Sequence, residues 1–422
     1  MGVESIDDAI DRLFRGTVCL APMVRAGTLP LRSLALKYGA DTVWGEEIID
    51  RRIAATVRTT NPVLGTVDYH SGKGRRVDFR TCAAERSRVV YQIGTGDATF
   101  ALQAAQHVER DVAAVDINMG CPKRFSLQGG MGAALLSKPE TAADILRTLR
   151  RNLSVPVTCK IRLLGGERET VELARRLESA GAQALTVHAR TLEDAPACRA
   201  KWEEVRPVVD ALNIPVIANG DVYTHEDATA VKELTGCSAV MLARPVLLNC
   251  SVFRGPGPLL PLSQVMVDYM SEVVRYDAVY QNAKYVLQEM MTRRRHPDHL
   301  QSKIRLDLQG CLSHDQVNRC KSIAELVDLC GLRDFYTREM ERRKQAAVAA
   351  AAAGENEACR GSGGPVPAEK QEPTHRYSDS YFATATAPAA AMPSLETARL
   401  EEGDEGEAAK RRKMASAASA AV

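Results

Sequence analysis

The sequence predicts an α/β protein, in which a (β/α)₈ TIM barrel is followed by an all-helical region and a disordered tail. Three observations indicate this. Short β-branched segments alternate with longer amphipathic segments eight times in about 235 residues, the length and order of such a barrel. From Leu262 the apolar residues follow a helical period. After Gln345 the chain becomes rich in alanine, serine, glycine and acidic residues.

These observations divide the 422 residues into four segments. We predict an N-terminal extension over residues 1–16, a barrel over 17–260, a helical domain over 261–345 and a disordered Ala/Glu-rich tail over 346–422. The formal net charge is only +2, which excludes a strongly polycationic protein. A hydrophobic content of 45% with 26% charged residues is typical of a globular protein.

No feature of the sequence directs the chain into or across a membrane. No segment has the roughly 18 consecutive apolar residues of a spanning helix, and the N-terminus lacks a signal peptide. The sequence has eleven cysteines and no C-x-x-C motif, which predicts that they are reduced thiols. The spacing of Cys311, Cys320 and Cys330 fits no zinc-binding pattern. We expect a monomeric cytoplasmic protein without a bound metal. The basic run Lys410–Lys413 would also suit a nuclear localisation signal.

The barrel strands are predicted where short β-branched runs are bounded by turn residues. In chain order they are "TVCLAP" from Thr17, "DTVWGEE" from Asp41, "RVVYQIG" from Arg88, "AAVDINMG" from Ala113, "VPVTCKIR" from Val155, "ALTVHAR" from Ala184, "IPVIANGD" from Ile214 and "AVMLAR" from Ala239. Helical periodicity fills most of the intervals, in "ATFALQAAQHVER", "ETAADILRTLRRNL", "ETVELARRLESAG" and "HEDATAVKELTG".

Nearly every predicted strand ends on a residue that can bind or react. These residues are Met23 after Pro22, Glu46 or Glu47, Gln92, Asn118, Lys160, His188, Asn219 and Arg244. One polar residue at a strand end is ordinary, but the C-terminal strand ends of a TIM barrel surround its active site. A series of them in successive strands therefore predicts one site at that end.

The last two strands predict a phosphate-binding site. "ANGD" from Ala218 and "LAR" from Leu242 follow strands seven and eight, where these barrels often hold phosphate with backbone N–H groups and a cation. Gly220 allows close backbone approach, and Arg244 can bind phosphate oxygens in a bidentate manner. Because no G-x-G-x-x-G follows a strand, a separate dinucleotide-binding domain is not expected.

The stretch "DINMGCPKRFS" followed by "GGMGAALL" carries a family resemblance. Together with "LAPMVRAGTLPLR", "TCKIR", "VHAR" and "VIANGD", it resembles the tRNA-dihydrouridine synthases, flavoenzymes that reduce uridine in tRNA. "YGADTVWGEEIID", "VDFRTCAAERSRVVYQIG" and "YDAVYQNAKYVL" are similar to the eukaryotic subtype that modifies position 20 of the D-loop. The resemblance covers about residues 17 to 345.

The resemblance implies an FMN-binding barrel that uses NADPH or NADH to reduce the flavin. The implied FMN-binding residues are Pro22, Met23, Val24, Gln92, Asn118, Lys160, His188, Asn219, Gly220, Asp221, Ala243 and Arg244. The chemistry agrees with this assignment, because a cation such as Lys160 near N1 of a flavin would stabilise developing negative charge. The amide of Gln92 and the imidazole of His188 can offer hydrogen bonds.

The same resemblance makes Cys121 the catalytic acid. Reduction of the C5=C6 bond of uracil places a hydride at C6 and a proton at C5, and the proton requires a positioned acid on the opposite face. An ordinary cysteine thiol is protonated at neutral pH. The stiff Gly-Cys-Pro turn would fix its direction. The glycine-rich "QGGMGAA" from Gln128 would allow the loop to close over substrate.

The resemblance also implies that the helical segment docks tRNA. Arg293, Arg294 and Arg295 form a basic cluster suited to phosphate contacts, although a solvated helix end explains them nearly as well. Lys123, Arg124 and Arg162 are candidates for holding the phosphates that flank an unstacked uridine. Animal members of the subtype carry a double-stranded-RNA-binding domain after the helices, and the tail shows no αβββα pattern of that kind.

Two alternative functions are considered beside this one. A dihydroorotate-dehydrogenase-like barrel reduces a similar bond in a free pyrimidine and also places a cysteine or serine opposite the flavin. Its carboxylate-binding residues are not evident, and it leaves the helical segment unexplained. A non-catalytic RNA-binding barrel is the other alternative, against which the presence of the flavin residues and Cys121 argues.

Overall fold

The computed structural model describes residues 4–72, 76–292, 303 and 306–358. These residues form a nine-stranded sheet, a three-stranded sheet and surrounding helices. Among them, no helix is both long enough and apolar enough to cross a bilayer.

Eight parallel strands close into a barrel, as predicted. They are β1 Val18–Leu20, β2 Thr42–Trp44, β7 Val89–Gly94, β8 Ala114–Asn118, β9 Val157–Arg162, β10 Leu185–His188, β11 Val216–Asn219 and β12 Ala239–Leu242. Each lies inside its predicted segment. The order β2-β1-β12-β11-β10-β9-β8-β7 is closed by pairing of β2 with β7.

Four strands that the sequence did not predict lie between β2 and β7. Ile48–Ile49 (β3) pairs in parallel with β7, and an antiparallel sheet is formed by β4 Val57–Asn61, β5 Thr66–Ser71 and β6 Arg76–Cys82. Apolar–polar alternation in "TVDYHS" and "VDFRTC" was the available signal. The sheet packs on the barrel through the buried ring of Phe79, which lies edge-on to Tyr91 of β7 with centroids 4.8 Å apart, and Tyr69 is buried beside it.

Helices surround the barrel at most of the predicted positions. The α-helices of the described residues are α1 Ile6–Phe14, α2 Leu29–Tyr38, α3 Asp50–Ala54, α4 Ala98–Val108, α5 Arg124–Gln128, α6 Pro139–Asn152, α7 Glu167–Ser179, α8 Arg206–Ala211, α9 His225–Thr235, α10 Arg244–Leu248, α11 Leu262–Arg275, α12 Tyr280–Met291, α13 His314–Arg319, α14 Ile323–Leu329 and α15 Arg333–Ala358. Short 3₁₀ helices are Glu109–Asp111, Gly132–Ser137, Trp202–Val205 and Cys250–Arg254.

The N-terminal extension packs into the barrel interior. In α1, Leu13 and Phe14 are fully buried in the cluster that includes the interior residue Trp44. The backbone carbonyl of Leu13 accepts hydrogen bonds from the hydroxyls of Thr17 (3.0 Å) and Thr42 (2.9 Å), at the start of β1 and β2. The extension therefore covers the N-terminal end of the barrel, which leaves the opposite end for a site.

Helix α11 packs against α2 on the outside of the barrel. Its predicted apolar face is buried, and Glu272 accepts a hydrogen bond from Ser33 (2.7 Å) and pairs with Lys37. The hydroxyl of Tyr38 donates to Asp268 at 2.5 Å. The apolar residues of α11 and α12 belong to the same hydrophobic cluster as the barrel core.

The predicted boundary of the disordered tail at residue 346 is wrong. Helix α15 continues through the alanine-rich segment to Ala358. Alanine has the highest helix propensity of any residue, so this composition extends an existing helix. The rest of the tail, with Lys410–Lys413, lies outside the described residues.

Candidate active site

The polar residues predicted at the strand ends meet at the C-terminal mouth of the barrel. Asn118 at the end of β8 pairs in register with Lys160 of β9. Lys160 and Arg162 interact electrostatically with both Cys121 and His188. The fold therefore brings together residues that are separated by up to 70 positions in the chain.

A side-chain cap fixes the turn that carries Cys121. The Oδ1 atom of Asn118 accepts hydrogen bonds from the backbone N–H groups of Gly120 (2.9 Å) and Cys121 (3.1 Å). Arg162, at the end of β9, donates from its Nε to the carbonyl of Gly120 at 2.9 Å. The cysteine is half-buried. Asn118 ends this strand with an amide that shapes the following turn.

The glycine-rich segment after Cys121 folds back onto the cysteine. The N–H of Ala133 donates to the carbonyl of Cys121 at 3.0 Å. Gly132 has φ +59°, and a Cβ there would lie 2.7 Å from that carbonyl oxygen. A side chain at this position would therefore push the loop away from the thiol.

Two consecutive glutamates after β2 have separate roles. Glu46 accepts the backbone N–H of Arg25 at 2.8 Å and so ties down the loop after β1. Glu47 is hydrogen-bonded to Asn118, whose Nδ2 is the available donor because Oδ1 is occupied. The Oε1 atom of Glu47 is buried over Gly94 without a partner among the described residues. Burial raises the pKa of Glu47 to about 7.

Gln92 is oriented by a buried carboxylate that the sequence analysis missed. Its Nε2 donates to Asp116 at 2.7 Å, and Thr158 donates to the other carboxylate oxygen at 2.7 Å. Asp116 is completely buried, and this burial raises its pKa to about 6. The bond to Asp116 uses one N–H of Nε2, so Oε1 and the second N–H of Gln92 remain to bind another group.

A cavity of about 230 Å³ lies beside the ends of β10, β11 and β12. It is lined by the predicted phosphate-binding residues and by Arg190, which was not predicted as a site residue. The lining residues include His188, Arg190, Asn219, Gly220, Asp221, Ala243 and Arg244. Gly220 has φ +127°, and a Cβ there would lie 3.0 Å from that of Ala200. The cavity has the size and the donors for a phosphate group.

The side chain of Asp221 pairs with the arginines of this cavity. One of its oxygens accepts from Arg190 at 2.6 Å and from Arg244 at 2.5 Å. A carboxylate would repel a phosphate, so the side chain of Asp221 orients the two guanidinium groups and is not itself a phosphate ligand. Arg190 is buried to 2% exposure, which restricts it to this position.

His188 is held as a neutral imidazole. Its Nε2 lies 3.3 Å from Nη1 of Arg190, and because a guanidinium can only donate, the ring proton is on Nδ1. Burial, followed by the positive charge of Lys160 and of neighbouring arginines, holds the pKa of His188 well below its usual value. The histidine can therefore offer one N–H to a ligand without carrying charge.

The loop after β1 brings Pro22 and Met23 to the mouth. The carbonyl of Met23 accepts the N–H groups of Ala26 (3.2 Å) and Gly27 (2.6 Å), which closes a tight turn. Pro22 and Met23 are half-buried, whereas Val24 is 42% exposed. All three lie in the loop that follows the C-terminal end of β1.

The predicted phosphate contacts to RNA fall into three groups. Lys123 and Arg124 are exposed and follow the Cys121-Pro122 pair in the chain. Arg162 donates to the backbone carbonyls of Gly120 (2.9 Å) and Thr191 (3.0 Å), so its main contacts brace the protein. Arg293–Arg295 lie outside the described residues.

Sequence reasoning missed Asp116, Arg190 and Ser126 as members of the site. Asp116 had a signal, since a carboxylate within the apolar run "AAVDIN" must find buried partners. Arg190 is the last residue of "VHAR", two positions after His188, and this spacing in a strand places it on the same side as the histidine. Among the described residues, no group of three or more His, Cys, Asp or Glu could hold a metal ion.

Comparison with known proteins identifies the family. A family model described as "Dihydrouridine synthase (Dus)" matches residues 19–322. The chain is 36% identical over 288 residues to the tRNA-dihydrouridine(20) synthase (NAD(P)+) of Schizosaccharomyces pombe, covering 66% of this chain and 60% of that protein. It is 41% identical over 222 residues to the Saccharomyces cerevisiae protein of that name, covering 50% of this chain and 58% of that protein.

A human relative extends the match over more of its own length. The chain is 31% identical over 283 residues to the human "tRNA-dihydrouridine(20a/20b) synthase (NAD(P)+)-like" protein, covering 65% of this chain and 83% of that protein. By contrast, the chain spans about three fifths of the two fungal relatives. With the family model matching more than half of its residues, the chain belongs to the dihydrouridine synthase family.

Proposed function

We propose that this protein is an FMN-dependent tRNA-dihydrouridine synthase, which reduces the C5=C6 bond of uridine 20 in the D-loop with NADPH or NADH as the electron source. The observation that carries the proposal is the half-buried thiol of Cys121, fixed by the Asn118 cap at the mouth of the barrel. The names of the fungal relatives support the position and the nicotinamide reductant.

The residues at the mouth fit the proposed flavin mononucleotide. Arg190 and Arg244 bring two positive charges to the cavity beside β11 and β12, and Asp221 offsets one of them. One net positive charge and the close backbone approach at Gly220 suit a phosphate group. Gln92 is left with its Oε1 acceptor and one N–H, and His188 with one N–H, for the polar edge of a ring.

The reaction requires a hydride at C6 and a proton at C5 of the uracil ring. FMN, when bound and reduced, supplies the hydride. Cys121 supplies the proton. Asn118 accepts hydrogen bonds from the N–H groups of Gly120 and Cys121, and this fixes the turn that positions the thiol as an acid. Burial and the charge of Arg162 lower the pKa of Lys160 to about 8, so most of this lysine is charged at pH 7. That charge can stabilise negative charge developing at the mouth.

The substrate proposal rests on charge at the rim and on the helices that follow the barrel. Lys123 and Arg124 are exposed beside Cys121, where they can contact the phosphates next to an extruded uridine. We propose that the helices from α11 onward dock the tRNA. Cytoplasmic location and a monomeric state remain predictions from the sequence.

An anaerobic experiment tests this function. The purified protein is reduced with NADPH, and either unmodified tRNA or orotate is added while the visible flavin absorption is followed. We expect reoxidation by tRNA alone, with dihydrouridine at position 20 of the product. Reoxidation by orotate would favour a dihydroorotate-dehydrogenase-like activity, and purification without flavin would favour a barrel that only binds RNA.

A further inference from the structure

The side chain of Ser126 is completely buried beside the thiol of Cys121. Ser126 lies in α5, five residues after the cysteine, and its Oγ donates a hydrogen bond to Sγ of Cys121 at 3.4 Å. For a bond to sulfur this distance is short enough to be effective. The hydroxyl is thus directed at the atom from which the proposed acid would lose its proton.

The backbone holds Ser126 in this position from both sides. Its N–H donates to the carbonyl of Lys123 at 3.0 Å, and its carbonyl accepts from Met131 at 2.8 Å. Gly132 packs against both side chains, because a Cβ there would lie 3.0 Å from Cβ of Cys121 and 3.2 Å from Cβ of Ser126. The Ser126–Cys121 contact is therefore built into the folded loop.

We propose that Ser126 is a positioning residue for the acid, whose hydroxyl orients the thiol and stabilises the thiolate left after proton transfer. This inference rests on the proposed function. In the step concerned, the S–H bond of Cys121 breaks, its electron pair stays on sulfur, and a C5–H bond forms on the uracil. The Ser126 O–H then donates to the anionic sulfur, a stronger bond than to the neutral thiol. Solvent returns the proton between turnovers.

Other charged groups also face this sulfur, and a test must separate them from Ser126. Lys160 and Arg162 of β9 interact electrostatically with Cys121, and Lys123 and Arg124 lie two and three residues after it in the chain. Removal of the Ser126 hydroxyl leaves all four cations unchanged. A shift seen in such a variant therefore reports on the hydroxyl alone.

The experiment measures the alkylation of Cys121 by iodoacetamide as a function of pH. The full-length purified protein is used, and the modified peptide is quantified by mass spectrometry so that other cysteines do not contribute. In Ser126→Ala, we expect the pH of half-maximal alkylation to rise by about one unit, the effect of losing one hydrogen bond to a charged group. Ser126→Gly should give the same shift if the alanine variant folds poorly.

A matched control comes from the same loop. Ser137→Ala removes an exposed hydroxyl that donates to the carbonyl of Ala134 at 3.0 Å, and the midpoint should stay at the wild-type value. An unchanged midpoint in both Ser126 variants would overturn the proposal, whatever their activity.

Activity then separates this inference from the proposed function. Single-turnover oxidation of the NADPH-reduced protein by tRNA should slow about tenfold in Ser126→Ala, with reduction by NADPH unchanged. Unchanged oxidation would also overturn the role of Ser126. If the alkylation midpoint shifts but wild-type protein makes no dihydrouridine, the contact is confirmed as a thiolate-stabilising one and the proposed function fails.

Discussion

Asn118 connects the turn that carries Cys121, the proposed acid, with the carboxylate of Glu47. Its Oδ1 accepts the N–H groups of Gly120 and Cys121, while its amide nitrogen faces Glu47. An asparagine amide has one acceptor and one donor end, so the carboxylate of Glu47 determines which end faces the turn. The direction of the Cys121 thiol therefore depends on a residue more than 70 positions earlier.

Replacement of Cys121 by alanine should separate flavin reduction from uridine reduction. In Cys121→Ala, flavin binding and reduction by NADPH should be unchanged, because no predicted flavin contact is lost. Oxidation of the reduced protein by tRNA should fall at least 100-fold, the usual contribution of a positioned acid. The measurement is stopped-flow flavin absorbance, with the exposed Cys198→Ala as control. Wild-type rates of oxidation in Cys121→Ala would remove this cysteine as the acid.

The buried carboxyl of Glu47 should make stability depend on pH. Its pKa is about 7 in the folded protein, against 4.5 for the free side chain, so the folded state binds the proton more tightly. The free energy of unfolding should therefore fall as the pH rises from about 4.5 to 7. In Glu47→Gln this component should disappear, with a difference of about 3 kcal/mol from the wild type across the window.

Urea unfolding of Glu47→Gln and wild-type protein at several pH values tests this expectation. The exposed Glu233→Gln serves as the control and should follow the wild-type curve. Parallel pH curves for Glu47→Gln and the wild type would show that Glu47 does not titrate in this range.

Between elements, one buried ion pair connects helix α2 to the segment after β6. Arg32 donates to Glu85 through Nε (2.9 Å) and Nη2 (2.6 Å), and both side chains are at most 2% exposed. Arg32 also donates to the carbonyls of Gly27 (2.6 Å) and Arg80 (2.7 Å). The antiparallel sheet is thus fastened to the loop after β1, which carries Met23.

Loss of Arg32 should destabilise the protein strongly. Arg32→Met leaves the carboxylate of Glu85 buried without its partner, at a cost of about 3–5 kcal/mol. Arg206→Met removes a pair with Asp210 that is more than half exposed, and should cost less than about 1 kcal/mol. Denaturant unfolding measures both, and similar losses in the two variants would contradict the importance of burial.

Across the whole molecule, the barrel and the following helices share one hydrophobic core. Met270 of α11 and Leu287 of α12 are fully buried in the cluster that contains the outer face of the barrel. Polar contacts of Lys37 and Tyr38 with α11 add to this packing. We therefore expect the helices and the barrel to unfold together.

A core substitution in α11 tests this cooperativity. Met270→Ala should lower the free energy of unfolding by about 2–5 kcal/mol. Both tryptophans of the chain, Trp44 and Trp202, lie in the barrel, so fluorescence reports on the barrel and circular dichroism on all helices. The two thermal transitions should coincide and shift together. A fluorescence transition that stays at the wild-type temperature would mean that the helices unfold independently.

The sequence alone determined the elements whose signals are local. All eight barrel strands and the buried face of α11 followed from periodicity, because alternation and helical spacing are properties of neighbouring residues. The strand-end positions of Asn118, Lys160 and His188 followed from the same patterns. The turn at Cys121 was likewise predicted from the local sequence Gly-Cys-Pro.

Only the tertiary structure decided which of these side chains face one another. Asp221 was grouped with the phosphate-binding residues, but closure of the barrel places Arg190 and Arg244 on its carboxylate. Arg162 is a candidate for RNA phosphates, and only the folded structure shows that its Nε also donates to the carbonyl of Gly120 and supports the turn. These hydrogen-bond partners are far apart in the chain and become neighbours only when the barrel closes. Their pairing therefore cannot be read from residue spacing.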